Sequence, residues 1–126
     1  MVTPRPTEAE LDILRVLWEL GPSTVRQIHD VLNAERDIGY TTVLKLMQIM
    51  FEKGLVARDE SNKSHIYRTT QRAQTTQRQL VKDLLKRAFG GSTEQLVLQA
   101  LSSKKASKEE IAEIRRMLDE LDGGAA

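Results

Sequence analysis

A change in hydrophobic periodicity near Gly54 is the feature that most limits how this chain can fold. Before it, apolar residues recur every three or four positions, which is the spacing of one face of an α-helix. After it, apolar and polar residues alternate in two short runs separated by a polar turn, which is the pattern of a β-hairpin. Two strands are too few to be stable alone, so we expect the hairpin to pack against the preceding helices.

Capping residues predict the first two helices. Thr7 followed three residues later by Glu10 is a capping box, and it begins a helix over about 7–20 that Gly21 stops. Ser23 is predicted to be the N-cap of a second, shorter helix, whose apolar pattern fades into a polar connector.

A third helix and the hairpin complete the N-terminal half. The third helix is predicted from Tyr40 to Lys53, because Gly54 can adopt the left-handed conformation that follows a last helical turn. The predicted strands are 55–58 and 64–69. Three helices followed at once by a two-stranded hairpin is the order of a winged helix, a variant of the helix-turn-helix.

The remaining chain is predicted to be helical: one helix over 71–89, one from Ser92 and one from Ser107. These helices carry more apolar surface than they can bury alone, and such surface is usually covered by a second copy of the chain. The fold class is therefore mainly α with a small β-hairpin, a winged-helix domain over 1–70 and an all-helical dimerisation domain over 71–126. The predicted dimer contacts are Leu84, Leu85, Phe89, Leu96, Val97, Leu101, Ile111, Ile114 and Leu118.

Charge is distributed unevenly along the chain. The 126 residues carry a net charge of only +1, which is unusual for a protein that binds nucleic acid. Residues 8–19, however, carry −3 and residues 63–87 carry +6. One face of the molecule can therefore meet a polyanion, although solvated charged faces are also common.

Several classes of site are excluded or disfavoured. The chain has no cysteine, so disulfides, thiolate catalysis and cysteine zinc sites are absent. Its two histidines, His29 and His65, lie in different predicted elements, so we expect no metal and no cofactor. No motif assembles a nucleophile with a base, which argues against an enzyme. No apolar run is long enough to span a bilayer and no hydrophobic signal segment begins the chain, so we expect a cytoplasmic protein without membrane insertion.

Two groups of polar residues are candidates for DNA contacts. The first lies on the third helix, opposite its apolar positions, and in a helix-turn-helix these turns enter the major groove. The second lies at or near the hairpin tip, where a wing can follow the phosphate backbone. Either group is alternatively a solvated surface. The helix group is Thr41, Thr42, Lys45 and Gln48, and the hairpin group is Lys63, Ser64, His65 and Arg68.

The sequence also resembles a known family, the penicillinase repressors (BlaI/MecI), which are winged-helix regulators of transcription. The resemblance covers nearly the whole chain. The runs that carry it are Thr7-Glu8-Ala9-Glu10, Val16-Leu17-Trp18, Tyr40-Thr41-Thr42-Val43, Glu52-Lys53-Gly54-Leu55-Val56, His65-Ile66-Tyr67-Arg68, Phe89-Gly90-Gly91-Ser92, Leu96-Val97-Leu98 and Glu109-Glu110-Ile111.

The resemblance implies a homodimeric repressor that binds a palindromic operator in double-stranded DNA. In the best-studied members, a membrane sensor with a metalloprotease domain triggers cleavage in the dimer domain. The cleaved pair there is Asn-Phe, and the corresponding pair here is Gln99-Ala100. The family often has polar or basic residues where this chain has Leu44 and Ile49, so its operator is expected to differ. Two alternatives stay open: a winged-helix module that binds proteins, and a regulator that responds to a ligand rather than a protease.

Overall fold

The computed structural model describes residues 5–123. The first residues of the chain, to which the prediction about a signal segment refers, lie outside that range. The described chain is mainly helical with one two-stranded antiparallel sheet, so the predicted fold class is confirmed. The elements are α1 (Glu8–Leu20), α2 (Val25–Glu35), α3 (Tyr40–Lys53), β1 (Val56–Asp59), β2 (Ile66–Thr69), α4 (Ala73–Phe89), α5 (Thr93–Ser103) and α6 (Lys108–Leu121).

The predicted cap of α2 is wrong by one residue. Thr24, not Ser23, is the N-cap: its hydroxyl accepts the Gln27 N–H at 3.2 Å, and the Gln27 side chain accepts the Thr24 N–H at 2.8 Å. Ser23 instead pairs with Tyr67 through two backbone hydrogen bonds of 2.9 and 2.8 Å. The bridge joins the α1–α2 turn to β2, and a pairing so distant in sequence cannot be read from local pattern.

The hairpin and α1–α3 share one hydrophobic core, as predicted for a winged helix. Strand β1 contacts α3 and strand β2 contacts α1. Gly54 ends α3 in the left-handed conformation, with φ of 82°, which lets the chain turn directly into β1. The buried apolar residues are Ile13, Leu14, Val16, Leu17, Val25, Ile28, Leu32, Val43, Met47, Met50, Leu55, Val56 and Tyr67.

A buried ion pair joins the beginning of α1 to the end of α3. The Glu10 side chain is only 2% exposed, and the Lys53 ammonium donates to both its carboxylate oxygens at 2.8 and 2.9 Å. Burial disfavours the charged form of Glu10, but the hydrogen bonds from Lys53 and the Thr7 N–H outweigh it, so the pKa of Glu10 is lowered. The capping residue of α1 is thus also a tertiary contact.

The chain divides into two compact units, one ending at Gln79 and the other beginning at Leu80. Helix α4, which begins two residues later than predicted, crosses this division. Every buried residue of the described chain lies between Glu10 and Thr76. Helices α5 and α6 therefore contain no buried residue at all.

Candidate nucleic-acid and dimer interfaces

Helix α3 has one buried face and one exposed polar face. Val43, Met47 and Met50 are fully buried at helical spacing, and this fixes the rotation of the helix about its axis. The four residues predicted to contact bases all lie on the exposed side of the helix. These residues are Thr41, Thr42, Lys45 and Gln48. The structure thus groups them as one surface of hydroxyl, ammonium and amide groups.

The wing carries its predicted residues in two separate places. Lys63 and Ser64 are exposed in the turn between β1 and β2, and His65 is half-buried just before β2. Arg68 is exposed too, but it lies within β2 opposite Ala57, in the third residue pair from the turn. Arg68 is thus the third residue of the second strand, inside the strand that the alternation predicted, and its contact with DNA stays a prediction.

Arg58 attaches the wing to α3. Its guanidinium carbon lies 4.0 Å from the centre of the Phe51 ring, and its Nε donates to Glu60 at 2.6 Å. That hydrogen bond lowers the pKa of the Glu60 carboxyl. The contact holds β1 against the exposed end of α3, so the wing is supported on both its strands.

A groove of about 790 Å³ lies between the start of α2, the start of α3 and the wing. It brings the three wing-tip residues next to Tyr40 and Leu44 of α3. The four base-contacting candidates of α3 and the wing residue Arg68 are not part of its lining. The lining residues are Thr24, Val25, Arg26, Gln27, Asp30, Tyr40, Leu44, Lys63, Ser64, His65, Ile66 and Tyr67.

The sequence analysis missed the residues on the α2 side of this groove. The Arg26 guanidinium carbon lies 5.1 Å from the centre of the Tyr40 ring, and the His29 ring meets Tyr40 edge-on at 5.8 Å. The only local signal was a cation in the first turn of α2, where the helix dipole does not favour positive charge. An isolated arginine gives too weak a signal to be assigned a role without its stacking partner.

The surface of α1 carries less unpaired negative charge than its sequence implies. Glu10 is buried and paired with Lys53. Asp12 accepts a hydrogen bond from Arg15 at 2.8 Å and forms an ion pair with Arg36, with an N–O distance of 3.1 Å. Half of the acidic side chains that made residues 8–19 negative are thus neutralised by ion pairs.

The second unit exposes a large apolar surface. Four of the predicted dimer contacts are exposed. Leu84 and Leu118 are 46% and 56% exposed, and Val97 and Leu101 are exposed to a similar extent. The other predicted contacts are half-buried: Leu85, Phe89, Leu96, Ile111 and Ile114. Four further exposed apolar residues were not predicted as contacts: Val81, Leu98, Met117 and Leu121.

The two candidate cleavage residues lie inside a helix. Gln99 and Ala100 are both exposed in α5. Within residues 5–123, no helix has the length and apolarity needed to cross a membrane. The same residues contain no cluster of three or more potential metal ligands, and His29 and His65 lie on separate elements.

Comparison with known proteins assigns the fold and the family. The family model described as penicillinase repressor matches residues 6–120. The transcriptional regulator BlaI of Mycobacterium tuberculosis is 31% identical over 118 residues, covering 93% of this chain and 85% of that protein. The penicillinase repressor of Staphylococcus aureus is 20% identical over 113 residues, covering 90% of each chain.

A solved structure supports the same fold. The transcriptional regulator Tm0710 from Thermotoga maritima matches with a TM-score of 0.50 and 21% identity, over 93% of this chain and 74% of that one. These relatives are regulators of transcription and not enzymes. Together with the winged helix built from α1–α3 and the hairpin, the match over residues 6–120 shows that this chain belongs to the penicillinase repressor family.

Proposed function

We propose that this protein is a sequence-specific transcriptional repressor that binds a palindromic operator as a homodimer. The observation that carries the proposal is the exposed polar face of α3, opposite a fully buried apolar face. A helix held in this way can enter the major groove without disturbing the core. Membership of a family of repressors supports the same function.

Base reading is assigned to the four exposed polar residues of α3. The amide of Gln48 can pair with adenine, and Lys45 can donate to guanine or to a phosphate. The hydroxyls of Thr41 and Thr42 can donate to phosphates, and their methyl groups can contact thymine. Leu44 and Ile49 are partly buried rather than available for polar readout, which supports an operator that differs from those of relatives with polar residues there.

Backbone contacts are assigned to the wing. Lys63 and Ser64 are exposed in the turn, and the exposed Arg68 adds a second cation along β2. Contacts to phosphate position a protein on DNA without reading its sequence. The wing is therefore proposed to set affinity, whereas α3 sets specificity.

Dimerisation is assigned to the apolar surface of α4–α6. Helices α5 and α6 have no buried residue, although α6 carries a strongly one-sided apolar stripe. A stripe of this kind is stable in water when a partner covers it. A second copy of the chain presents the same stripe, which suits the two-fold symmetry of a palindrome.

Derepression is proposed to follow from the loss of the dimer. Cleavage between Gln99 and Ala100, through a membrane sensor metalloprotease, would divide α5. The absence of buried residues in α5 supports easy local opening of that helix. Exposure of the purified repressor to membranes that contain the sensor, followed by mass spectrometry, should give fragments ending at Gln99. Fragments ending elsewhere would contradict this assignment.

Selection of bound sequences from a pool of random duplexes tests the function directly. The full chain should enrich a palindrome, and Lys45→Ala or Gln48→Ala should each cost about 1 to 3 kcal/mol on it and relax specificity. Lys63→Ala should weaken binding to all duplexes alike, and Lys105→Ala, an exposed change in the connector between α5 and α6 that belongs to neither group of DNA candidates, should have no effect. Enrichment of no sequence, with binding to acidic proteins instead, would favour the protein-interaction alternative and overturn the proposal.

A further inference from the structure

One group of contacts in the first unit has no part in base reading or in the core. It joins Arg26, His29 and Tyr40, at the rim of the groove between α2, α3 and the wing. Arg26 and Tyr40 are both exposed, so burial does not explain why they stack. The contacts instead restrict the position of one positive charge.

The Arg26 guanidinium lies over the ring of Tyr40. Its central carbon lies 5.1 Å from the centre of the Tyr40 ring, within the range of a cation–π contact. Arginine carries five N–H donors, so a cation–π contact leaves donors with which the guanidinium can bind a planar or tetrahedral anion. Within residues 5–123, no carboxylate forms an ion pair with Arg26.

His29 also contacts Tyr40. The two rings meet edge-to-face at 5.8 Å and 77°. The Nε2 atom of His29 lies 2.8 Å from the Ile38 carbonyl oxygen, and since a carbonyl only accepts, Nε2 is the donor. His29 is thereby fixed to the connector that precedes α3, and Tyr40 is fixed at the first residue of that helix.

The charges around the groove favour an anion. Arg26 and Lys63 line it from opposite elements, and Asp30 is the single carboxylate in its lining. Asp30 lies 3.6 Å from the Nδ1 atom of His29 rather than beside Arg26. Half-buried His65 lines the wing side. Two permanent cations thus face the groove against one carboxylate.

We propose that Arg26 binds a phosphate of the DNA backbone in this groove, with Tyr40 and His29 as the residues that position it. The inference rests on the proposed function, because the groove lies beside the first turn of α3, whose next residues face the major groove in that proposal. Duplex DNA is the occupant that can contact α3, the wing and Arg26 together. Arg26 therefore adds a sequence-independent contact that orients α3.

The experiment measures binding of the full chain to a random-sequence duplex while the salt concentration is varied. Arg26→Gln should weaken binding about five- to tenfold and reduce the slope of log affinity against log salt by about 0.9, the value for one phosphate contact. Arg115→Gln is the matched control, because Arg115 is an exposed arginine of α6. It should change neither the affinity nor the slope.

Double variants separate positioning from general stability. Tyr40→Phe keeps the ring and should bind as the unchanged protein does, whereas Tyr40→Leu should lose most of the Arg26 contribution. Combining Tyr40→Leu or His29→Ala with Arg26→Gln should weaken binding no further than Arg26→Gln alone. A loss caused by misfolding would add to that of Arg26→Gln and would lower the thermal midpoint as well.

Three outcomes would overturn the inference. One is an Arg26→Gln variant with the affinity and salt slope of Arg115→Gln, which would leave the proposed function intact. Another is full additivity in the double variants, which would remove the positioning role of Tyr40 and His29. The last is an unchanged chain that binds duplex DNA weakly and without salt dependence, and this result would reject the proposed function together with the inference.

Discussion

The two units of this protein differ in how they satisfy their apolar residues. The first unit buries one cluster of leucines, isoleucines, valines and methionines among α1–α3 and the wing, and it includes a buried ion pair between Glu10 and Lys53. In the second unit, no residue from Leu80 to Gly123 is buried, and Leu121 is 84% exposed. The first unit has the hydrophobic core of an independent domain. The second unit has as many apolar residues as a core needs, but none of them is buried.

In the proposed function, this difference assigns DNA reading to the first unit and regulation to the second. A self-sufficient reading unit keeps its shape whether or not a partner is present. A unit whose stability depends on association can be switched, because its folding is linked to the concentration of its partner. We therefore expect perturbations of the second unit to act on assembly, and those of the first to act on folding or DNA contact.

Removal of the second unit should have the largest effect. A chain that ends at Gln79 should remain folded but monomeric, and its affinity for the palindromic operator should fall by about 10² to 10⁴ because two linked half-site contacts become one. Sedimentation and operator titration measure both quantities. If the truncated chain bound the operator as tightly as the full chain, the second unit would not contribute to operator binding through dimerisation.

A charge within the apolar surface should break the dimer without unfolding the first unit. Leu84→Asp or Leu118→Asp should raise the dimer dissociation constant by about 100-fold or more, since each dimer would bury two unpaired carboxylates. Gln79→Asp places the same charge on an exposed polar position of α4 and should leave the dimer intact. If the unchanged chain is itself a monomer at micromolar concentration, the second unit does not depend on dimerisation to cover its apolar surface, and the contrast between the two units is wrong.

Loss of Lys53 should destabilise the first unit alone. Lys53→Met leaves the buried Glu10 carboxylate without its ammonium and should lower the free energy of unfolding by about 2 kcal/mol, somewhat less than for a fully enclosed pair because Lys53 is 30% exposed. Urea unfolding at a fixed protein concentration measures the change. An equal loss of dimerisation free energy, seen as a raised dimer dissociation constant, would contradict the assignment of this ion pair to the first unit alone.

The same ion pair should make the first unit sensitive to acid. The folded-state pKa of Glu10 lies below its ordinary value of 4.5, so the pair contributes fully above that pH and its contribution is lost as pH falls through the folded pKa. The free energy of unfolding of the unchanged chain should therefore fall more steeply with decreasing pH in this range than that of Glu10→Gln, and the two values should approach each other at low pH. Parallel pH profiles for the two proteins would show that Glu10 titrates normally.

Removal of helix caps should have the smallest effect on stability, and it compares the same change in the two units. Thr24→Ala and Ser107→Ala each remove a capping box, in α2 and α6 respectively, and each should cost about 1 kcal/mol. The cost at Thr24 should not depend on protein concentration, whereas the cost at Ser107 should appear as weaker association. Thermal unfolding at two protein concentrations distinguishes these outcomes.

Local pattern predicted most of the architecture. The capping boxes at Thr7 and Ser107, the stop at Gly54 and the alternation in the wing are short-range signals, and each element appears close to its predicted position. Errors arose where a distant partner decides the local structure. Ser23 pairs with Tyr67 rather than capping α2, and this pairing depends on a residue more than forty positions away. The boundary between domains near residue 70 stays a prediction.

The candidate interfaces were predictable to a similar extent. The helical period identified the polar face of α3 because residues three or four apart share a face. Nothing in that period indicates that Arg26 stacks on Tyr40 or that Glu10 is buried, since both depend on residues from other helices. The exposure of Val81, Leu98, Met117 and Leu121 was not predicted, because only accessibility in the folded chain shows which side of each helix stays uncovered.

By itself the sequence determined the order of helices and strands, the polar surface of α3 and the excess of apolar residues in the C-terminal helices. These properties follow from short-range periodicity and capping, which act within one element. Only the tertiary structure decided which charges pair, which side chains border the groove and where burial ends. The reason is physical: burial, stacking and ion pairing are set by groups that lie far apart along the chain and meet only when it folds.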